Sequence, residues 1–127
     1  MRWMFATLTM TALVAAPAQA AQWVKLTESK NGAIVLIDNQ GITRDGTRIT
    51  APVKWDYAAV AEEKDPVEID VMVFDCANET FNLTNFTYYD KAGNVTRKCK
   101  GDRPGMVPVP EKSIARDIFD RVCKSDT

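Results

Sequence analysis

The strictly alternating segment VEIDVMVF, residues Val67 to Phe74, constrains the fold of this chain more than any other stretch. Successive side chains of a β-strand point to opposite faces, so alternation predicts a strand with two different faces. One face carries Val67, Ile69, Val71 and Val73, and the other carries Glu68, Asp70, Met72 and Phe74. Since the first set is uniformly branched and apolar, the pattern predicts that this set faces the core. The second face is expected to be exposed to solvent at its acidic end, which carries Glu68 and Asp70.

Turn signals divide the rest of the chain into an antiparallel meander. Asn31-Gly32 stands between the segments 22–28 and 33–38, and this dipeptide is a strong hairpin signal. A third strand is expected over 47–57, where Pro52 cannot donate a ladder hydrogen bond. The sequence therefore predicts that this strand lies at an edge of the sheet or is bulged at the proline.

The segment from Thr80 to Tyr89 predicts a strand with one irregularity. Phe81 and Leu83 share one parity, whereas Phe86 and Tyr88 share the other. A strand buries both sets on one face only if an extra residue intervenes, and a β-bulge near Thr84 or Asn85 is the simplest device. The chain then turns at 91–94 and returns as a strand over 95–100. Phe81 or Phe86 is expected to join the core.

A helix is predicted over Glu111 to Cys123, with Ser113 as a candidate N-cap. Its apolar residues recur at helical spacing, and an amphipathic helix of about three turns is not stable alone in water. We therefore expect it to lie on the sheet, which makes the fold class α+β in a single domain. The apolar stripe consists of Ile114, Ala115, Ile118, Phe119 and Val122.

The N-terminus reads as a cleaved secretory signal. Residues 1–20 contain one charge, Arg2, then an apolar run, and end in Ala18-Gln19-Ala20. The run is shorter than the roughly 20 residues of a membrane span. We expect cleavage near Ala20, a domain over 21–127, and a periplasmic or secreted location. No Cys follows the cut, so no lipid anchor is expected.

Composition narrows the function classes. The formal net charge of −1 becomes −2 without Arg2, which favours neither nucleic acid nor an acidic membrane surface. The chain has no His, which excludes His-based triads and most transition-metal sites. Its acidic residues lack the spacing of an EF-hand loop. We therefore expect no catalytic residue, no metal ligand and no cofactor, and an enzyme is the least favoured class.

Three cysteines stand in an exported chain. Cys76 ends a predicted strand and Cys123 ends the predicted helix, so an oxidising compartment favours a bond between them. Pairings that use Cys99 remain alternatives at this point. An unpaired Cys99 would be a fortuitous thiol or an intermolecular bridge.

Several segments in order resemble the surface-adhesin protein E-like family of small exported bacterial proteins. The matching segments are LIDNQGITRDG, VKWDY, DCANETF, YYDKAGNV and MVPVPEKSIARDIFDRVC. The resemblance implies a six-stranded antiparallel sheet with the C-terminal helix tethered to one face by Cys76–Cys123. It also implies a non-enzymatic binding module, since the family's namesake binds host matrix and serum proteins. The alternative is a structural envelope protein, linked into oligomers through Cys99.

Two groups of residues are candidates for binding a protein or glycan partner. We expect the sheet face away from the helix to be free and at least one aromatic residue of each pair to point outward there. The basic cluster near the last strand is either a solvated edge or a site for an anionic ligand. The aromatic pairs are Trp55 with Tyr57 and Tyr88 with Tyr89, and the basic cluster is Arg97, Lys98, Lys100 and Arg103.

Overall fold

The computed structural model describes residues 20–60, 64–101 and 105–124. The predicted signal peptide, apart from Ala20, and Arg103 lie outside these described residues. The elements are β1 (Trp23–Glu28), β2 (Ile34–Asp38), β3 (Thr43–Asp45), β4 (Arg48–Asp56), β5 (Val67–Asp75), β6 (Thr80–Tyr89), β7 (Val95–Lys100), β8 (Val107–Pro108) and α1 (Ile114–Cys123). Within the described ranges, no helix has the length and apolar character needed to cross a membrane.

The strands form one antiparallel sheet, and the α+β prediction is confirmed. Six strands follow the order β1-β2-β4-β5-β6-β7, while the short strands β3 and β8 pair with β4 and β6. The Asn31-Gly32 hairpin joins β1 to β2 as predicted. Gly32 adopts a φ of 94°, a backbone conformation that residues other than glycine rarely adopt. The sequence therefore predicted the meander correctly, with two short strands added.

The prediction for Pro52 was wrong, because β4 lies inside the sheet between β2 and β5. Pro52 stands opposite Val71 with no shift in register along the β4–β5 pairing. On the other side of β4, β2 pairs from Val53 onward and β3 pairs up to Thr50, so Pro52 falls between the two. The missing N–H is tolerated where a neighbouring strand is interrupted. A Cβ added to Gly41 would lie 2.7 Å from Pro52 Cγ, so the chain between β2 and β3 packs closely on the proline.

The predicted bulge in β6 is confirmed at Thr84. Val71 of β5 pairs with Asn85, whereas the next residue, Met72, pairs with Leu83, so Thr84 is the extra residue. Its hydroxyl donates a hydrogen bond of 3.1 Å to the Val71 carbonyl. The bulge brings both parities of β6 to one face, since Phe81, Leu83, Phe86 and Tyr88 pair with Phe74, Met72, Asp70 and Glu68.

The core lies on the opposite face of β5 from the one that the alternation predicted. Met72 and Phe74 are buried, and Phe74 is fully inaccessible, while the set from Val67 to Val73 is only half-buried. Helix α1 packs on the Phe74 side, where the Phe119 ring lies 6.2 Å from the Phe74 ring. Both faces of β5 contain apolar residues, so the alternation alone does not identify the face that the helix covers. The core comprises Val35, Ile37, Ile49, Ala51, Val53, Met72, Phe74, Val109, Ile118, Phe119 and Val122, with Phe81 packed against it.

Helix α1 is capped and tethered as predicted. Ser113 is the N-cap, and its hydroxyl accepts a hydrogen bond of 3.1 Å from the Arg116 backbone N–H. Cys76 and Cys123 form the disulfide, with a Cα–Cα distance of 5.5 Å. Cys99 is free and half-buried. The contacts that fix the helix therefore lie at the Phe74 end of the sheet, and the other end of the same face remains available.

Candidate binding face

Six residues form a surface that we call the acidic–aromatic face, on the helix side of the sheet but beyond the core. Strand register defines it, because directly paired residues point to the same side. Glu68 stands between Trp55 of β4 and Tyr88 of β6, and Asp70 stands between Val53 and Phe86. Trp55 packs against the edge of the core, whereas Phe86 and Tyr88 lie outside it. The face consists of Trp55, Tyr57, Glu68, Asp70, Phe86 and Tyr88.

Aromatic residues flank Glu68 on both sides, and Phe86 flanks Asp70 on one side. On β4, the rings of Trp55 and Tyr57 stack with centroids 6.3 Å apart and planes 11° apart. On β6, Phe86 and Tyr88 meet edge to face with centroids 6.1 Å apart. Both geometries are favourable for aromatic pairs. The face is therefore a strip of β5 carboxyl groups between two ordered aromatic pairs.

The two carboxyl groups interact with each other. Burial, then the charge of Glu68 and a hydrogen bond with it, together raise the pKa of Asp70 to about 8. The Tyr57 hydroxyl donates a hydrogen bond of 2.9 Å to Glu68 Oε2, and burial and the Glu68 charge raise the pKa of Tyr57 as well. The raised pKa favours the protonated form of Asp70 at neutral pH, which reduces its repulsion with Glu68.

Two buried polar atoms of this face lack a hydrogen bond within the part of the chain that is described. They are the Trp55 indole Nε1 and Asp70 Oδ1. The indole N–H lowers the pKa of Asp70 through its proximity but does not reach hydrogen-bonding geometry. Asp70 is only 4% exposed, so water does not readily satisfy its oxygen. Such atoms are uncommon in folded proteins, and they distinguish this face from the rest of the sheet surface.

The Asp70 proton predicts an unusual dependence of stability on pH. The folded state retains a proton that the unfolded chain loses above about pH 4, because the folded pKa is raised to about 8. Stability from this group is full below the unfolded pKa and declines as pH rises towards 8. We expect Asp70→Asn to remove a loss on the order of 4 kcal/mol between pH 5 and pH 8, at about 1.4 kcal/mol per pH unit. Urea unfolding at both pH values measures it.

The control for this experiment is Asp45→Asn, which neutralises an exposed carboxyl group on β3. It should leave the difference between pH 5 and pH 8 close to that of the wild type. If Asp70→Asn also leaves that difference unchanged, Asp70 ionises normally in the folded protein and the shared proton does not exist.

The structure brings together three of the four aromatic candidates, but not on the predicted face. Trp55 and Tyr57 are two residues apart and share the helix side with Tyr88. Tyr89 pairs with Val67 and therefore points to the opposite side. The expectation that at least one aromatic residue of each pair points away from the helix was wrong for Trp55 with Tyr57, whereas Tyr89 meets it for the second pair. Helix α1 is short and packs at the Phe74 end of the sheet. It therefore does not cover the rings of Trp55, Tyr57 and Tyr88.

The basic cluster does not form one site. Arg97 pairs with Tyr88 and stacks on its ring, with the guanidinium carbon 4.4 Å from the centroid. Lys98 pairs with Thr87 and Lys100 pairs with Asn85, so both point to the other side of the edge strand β7. The described part of the cluster is therefore split between the two faces of the sheet.

Glu68, Asp70 and Phe86 were missed as candidates by reasoning from the sequence. The two carboxyl groups were interpreted as a solvated surface, and Phe86 as one of two alternatives for the core. A usable signal exists, because a bulge near Thr84 places Phe86 and Tyr88 on the side of Phe81 and Leu83. The parity of β5 then aligns the carboxyl groups with those rings.

A cleft of about 580 Å³ adjoins this face at the end of the sheet and shares Tyr57 with it. Two carboxylates in its wall accept hydrogen bonds from nearby backbone: Asp56 from Ala58, and Asp90 from Ala92 and Asn94. Among the described residues, no three acidic or cysteine side chains are grouped so as to hold a metal ion.

Comparison with known proteins identifies the family. Residues 23–124 match the family model described as surface-adhesin protein E. Crystal form II of Haemophilus influenzae protein E superposes with a TM-score of 0.57 at 13% identity, covering 89% of this chain and 97% of that chain. Protein E from non-typeable Haemophilus influenzae gives a TM-score of 0.55 at 12% identity over 87% and 82%. Among functionally curated proteins, no sequence matches. Because the family model spans most of its length, this chain belongs to the surface-adhesin protein E family.

Proposed function

We propose that this protein is an exported, non-enzymatic binding module of the bacterial envelope that holds a protein partner on its acidic–aromatic face. The family is one of surface adhesins and not of enzymes. The location that fits the N-terminal sequence is periplasmic or secreted, after cleavage near Ala20. Host matrix and serum proteins are the partner class that fits an adhesin.

The observation that carries the proposal is the cross-strand assembly of Trp55, Glu68 and Tyr88 at the edge of the helix-covered core. Half-buried aromatic side chains with polar ends are the residues that dominate protein–protein affinity. Ordered ring pairs lose little conformational freedom on binding. A protein partner fits better than a glycan because the strip also carries a net negative charge, which neutral sugars do not match.

A pair of adjacent residues tests this proposal. Tyr88→Ala removes a ring from the acidic–aromatic face, and Tyr89→Ala removes the same side chain from the opposite face. We expect Tyr88→Ala to weaken capture of serum or extracellular-matrix proteins about tenfold, as truncation of a central aromatic contact does. Tyr89→Ala should change it less than twofold. Binding of purified matrix proteins to the immobilised variants, each checked for cooperative unfolding, measures both.

Equal losses of affinity in the two variants would mean that the partner binds elsewhere or that both substitutions act only by destabilising the fold. The second candidate, a structural envelope protein, rests on Cys99, which is free and lies on the edge strand β7. That candidate is favoured if the wild type binds no matrix protein and forms a dimer on non-reducing gels. Cys99→Ser should then abolish the dimer.

A further inference from the structure

We propose that the acidic–aromatic face recognises a basic side chain of its partner, an arginine or lysine seated between the aromatic pairs and against Glu68. The inference rests on the proposed function and specifies its ligand chemistry. Glu68 supplies the negative charge, and Trp55, Tyr57 and Tyr88 supply the surfaces over which a cation is stabilised.

Glu68 lies one strand away from the aromatic residues on either side. Strands β4 and β6 flank β5, so their backbones lie about 9.6 Å apart, twice the usual strand spacing. The aromatic pairs stand on these two strands, and the Glu68 carboxylate lies between them.

The protein already places one cation at the rim of this face. The Arg97 guanidinium lies 4.4 Å from the Tyr88 ring centroid, while its own side chain remains exposed. This contact demonstrates that the outer face of the β6 pair accepts a guanidinium. A partner's arginine would either stack beside Arg97 or displace it from the ring.

The buried polar atoms supply the second, independent observation. Asp70 is 96% shielded from solvent, and its Oδ1 lacks a hydrogen-bond partner among the described residues, as does the buried Trp55 indole N–H. Glu68 is contacted by the neutral groups Tyr57 and Tyr88, and no described basic side chain forms an ion pair with either carboxyl group. An approaching cation compensates a charge that the protein itself leaves uncompensated.

Ligand binding should be coupled to proton release. A cation beside Glu68 favours the ionised form of Asp70, so the proton held by the pair leaves when the ligand arrives. The other titratable groups that act on this pair are Tyr57 and Tyr88, and Arg97 lies against the Tyr88 ring. The first two stay neutral and Arg97 stays cationic between pH 5.5 and 8, so the coupling belongs to the carboxyl pair. Affinity for a cation should therefore rise with pH in this range.

The experiment uses a fluorescent peptide of three arginines spaced by glycines, and the same peptide with citrulline in place of arginine. Citrulline keeps the shape of arginine without its charge. We expect the mature wild type to bind the citrulline peptide at least tenfold more weakly, and Glu68→Gln to weaken arginine-peptide binding about tenfold. Glu28→Gln, the same substitution on the edge strand β1, should change it less than twofold. Wild-type affinity should rise about tenfold from pH 5.5 to pH 8, and Asp70→Asn should abolish most of that rise.

Three results would overturn the inference: equal binding of the two peptides, equal losses in Glu68→Gln and Glu28→Gln, or an affinity that does not depend on pH. The peptide comparison needs only the wild type, so it stands even where Glu68→Gln fails to fold. Failure here is distinct from failure of the proposed function. A matrix partner that is lost in Tyr88→Ala, together with peptides that bind alike, would keep the binding face and reject the cationic ligand.

Discussion

Replacing Phe74 by Ala should destabilise the protein by about 3–5 kcal/mol, the range for removal of a large buried aromatic side chain. The Phe74 side chain is fully buried. Its ring lies 6.0 Å from Phe81 and 6.2 Å from Phe119, so it joins β5 to both β6 and the helix. Truncation would leave a cavity at the junction of these three elements. The midpoint and slope of urea unfolding measure the change.

The matched control is Val73→Ala, one residue earlier on the same strand. Val73 points to the opposite, half-buried face, where a smaller apolar area is lost and no closed cavity forms. We expect a loss of about 1 kcal/mol. The alternation of the sequence predicts the opposite order of the two effects, so the pair distinguishes the two assignments of the core. A larger loss in Val73→Ala than in Phe74→Ala would place the core on the other side of the sheet.

Removing the disulfide by Cys76→Ala with Cys123→Ala should lower the free energy of unfolding by about 4 kcal/mol. The two cysteines are 47 residues apart, and the chain-entropy model gives this value for a loop of that length. Small domains are stable by only about 5–15 kcal/mol, so the variant should unfold at much lower denaturant. Reduction of the wild type should produce the same shift.

Cys99→Ser is the control for the disulfide, because Cys99 is free. It should retain most of the wild-type stability and should still respond to reductant. A double variant without Cys76 and Cys123 that unfolds at the wild-type midpoint would show that the helix docks without its tether, through Phe119 and its neighbours alone.

Local signals made much of this fold predictable from the sequence. Asn31-Gly32 determines a hairpin through its own backbone preference, and Ser113 caps a helix through a hydrogen bond three residues away. The bulge at Thr84 was predictable because the parity change lies within one strand. In each case the residues that determine the feature are close in sequence.

Features that depend on distant partners could not be predicted in the same way. The position of Pro52 depends on where β2 ends and β3 begins beside it. The core side of β5 depends on where α1 docks, some forty residues later in the chain. The acidic–aromatic face could not be predicted from the sequence for the same reason. Glu68 is a candidate only because Trp55 and Tyr88 are its cross-strand neighbours. All three features depend on contacts between residues that are distant in the sequence, which composition does not identify.

The extra residue Thr84 divides β6 into two segments, each with its own surroundings. On one side of it, Phe81 and Leu83 are constrained by the packed interior, while on the other side Phe86 and Tyr88 face neighbours outside that interior. Deletion of this one residue would rotate the outer segment by half a pleat and carry Tyr88 to the reverse surface. An insertion or deletion at this position therefore changes which residues of β6 lie on the acidic–aromatic face. A substitution at Phe86 or Tyr88 changes the chemistry of that face and leaves the strand pairing in place.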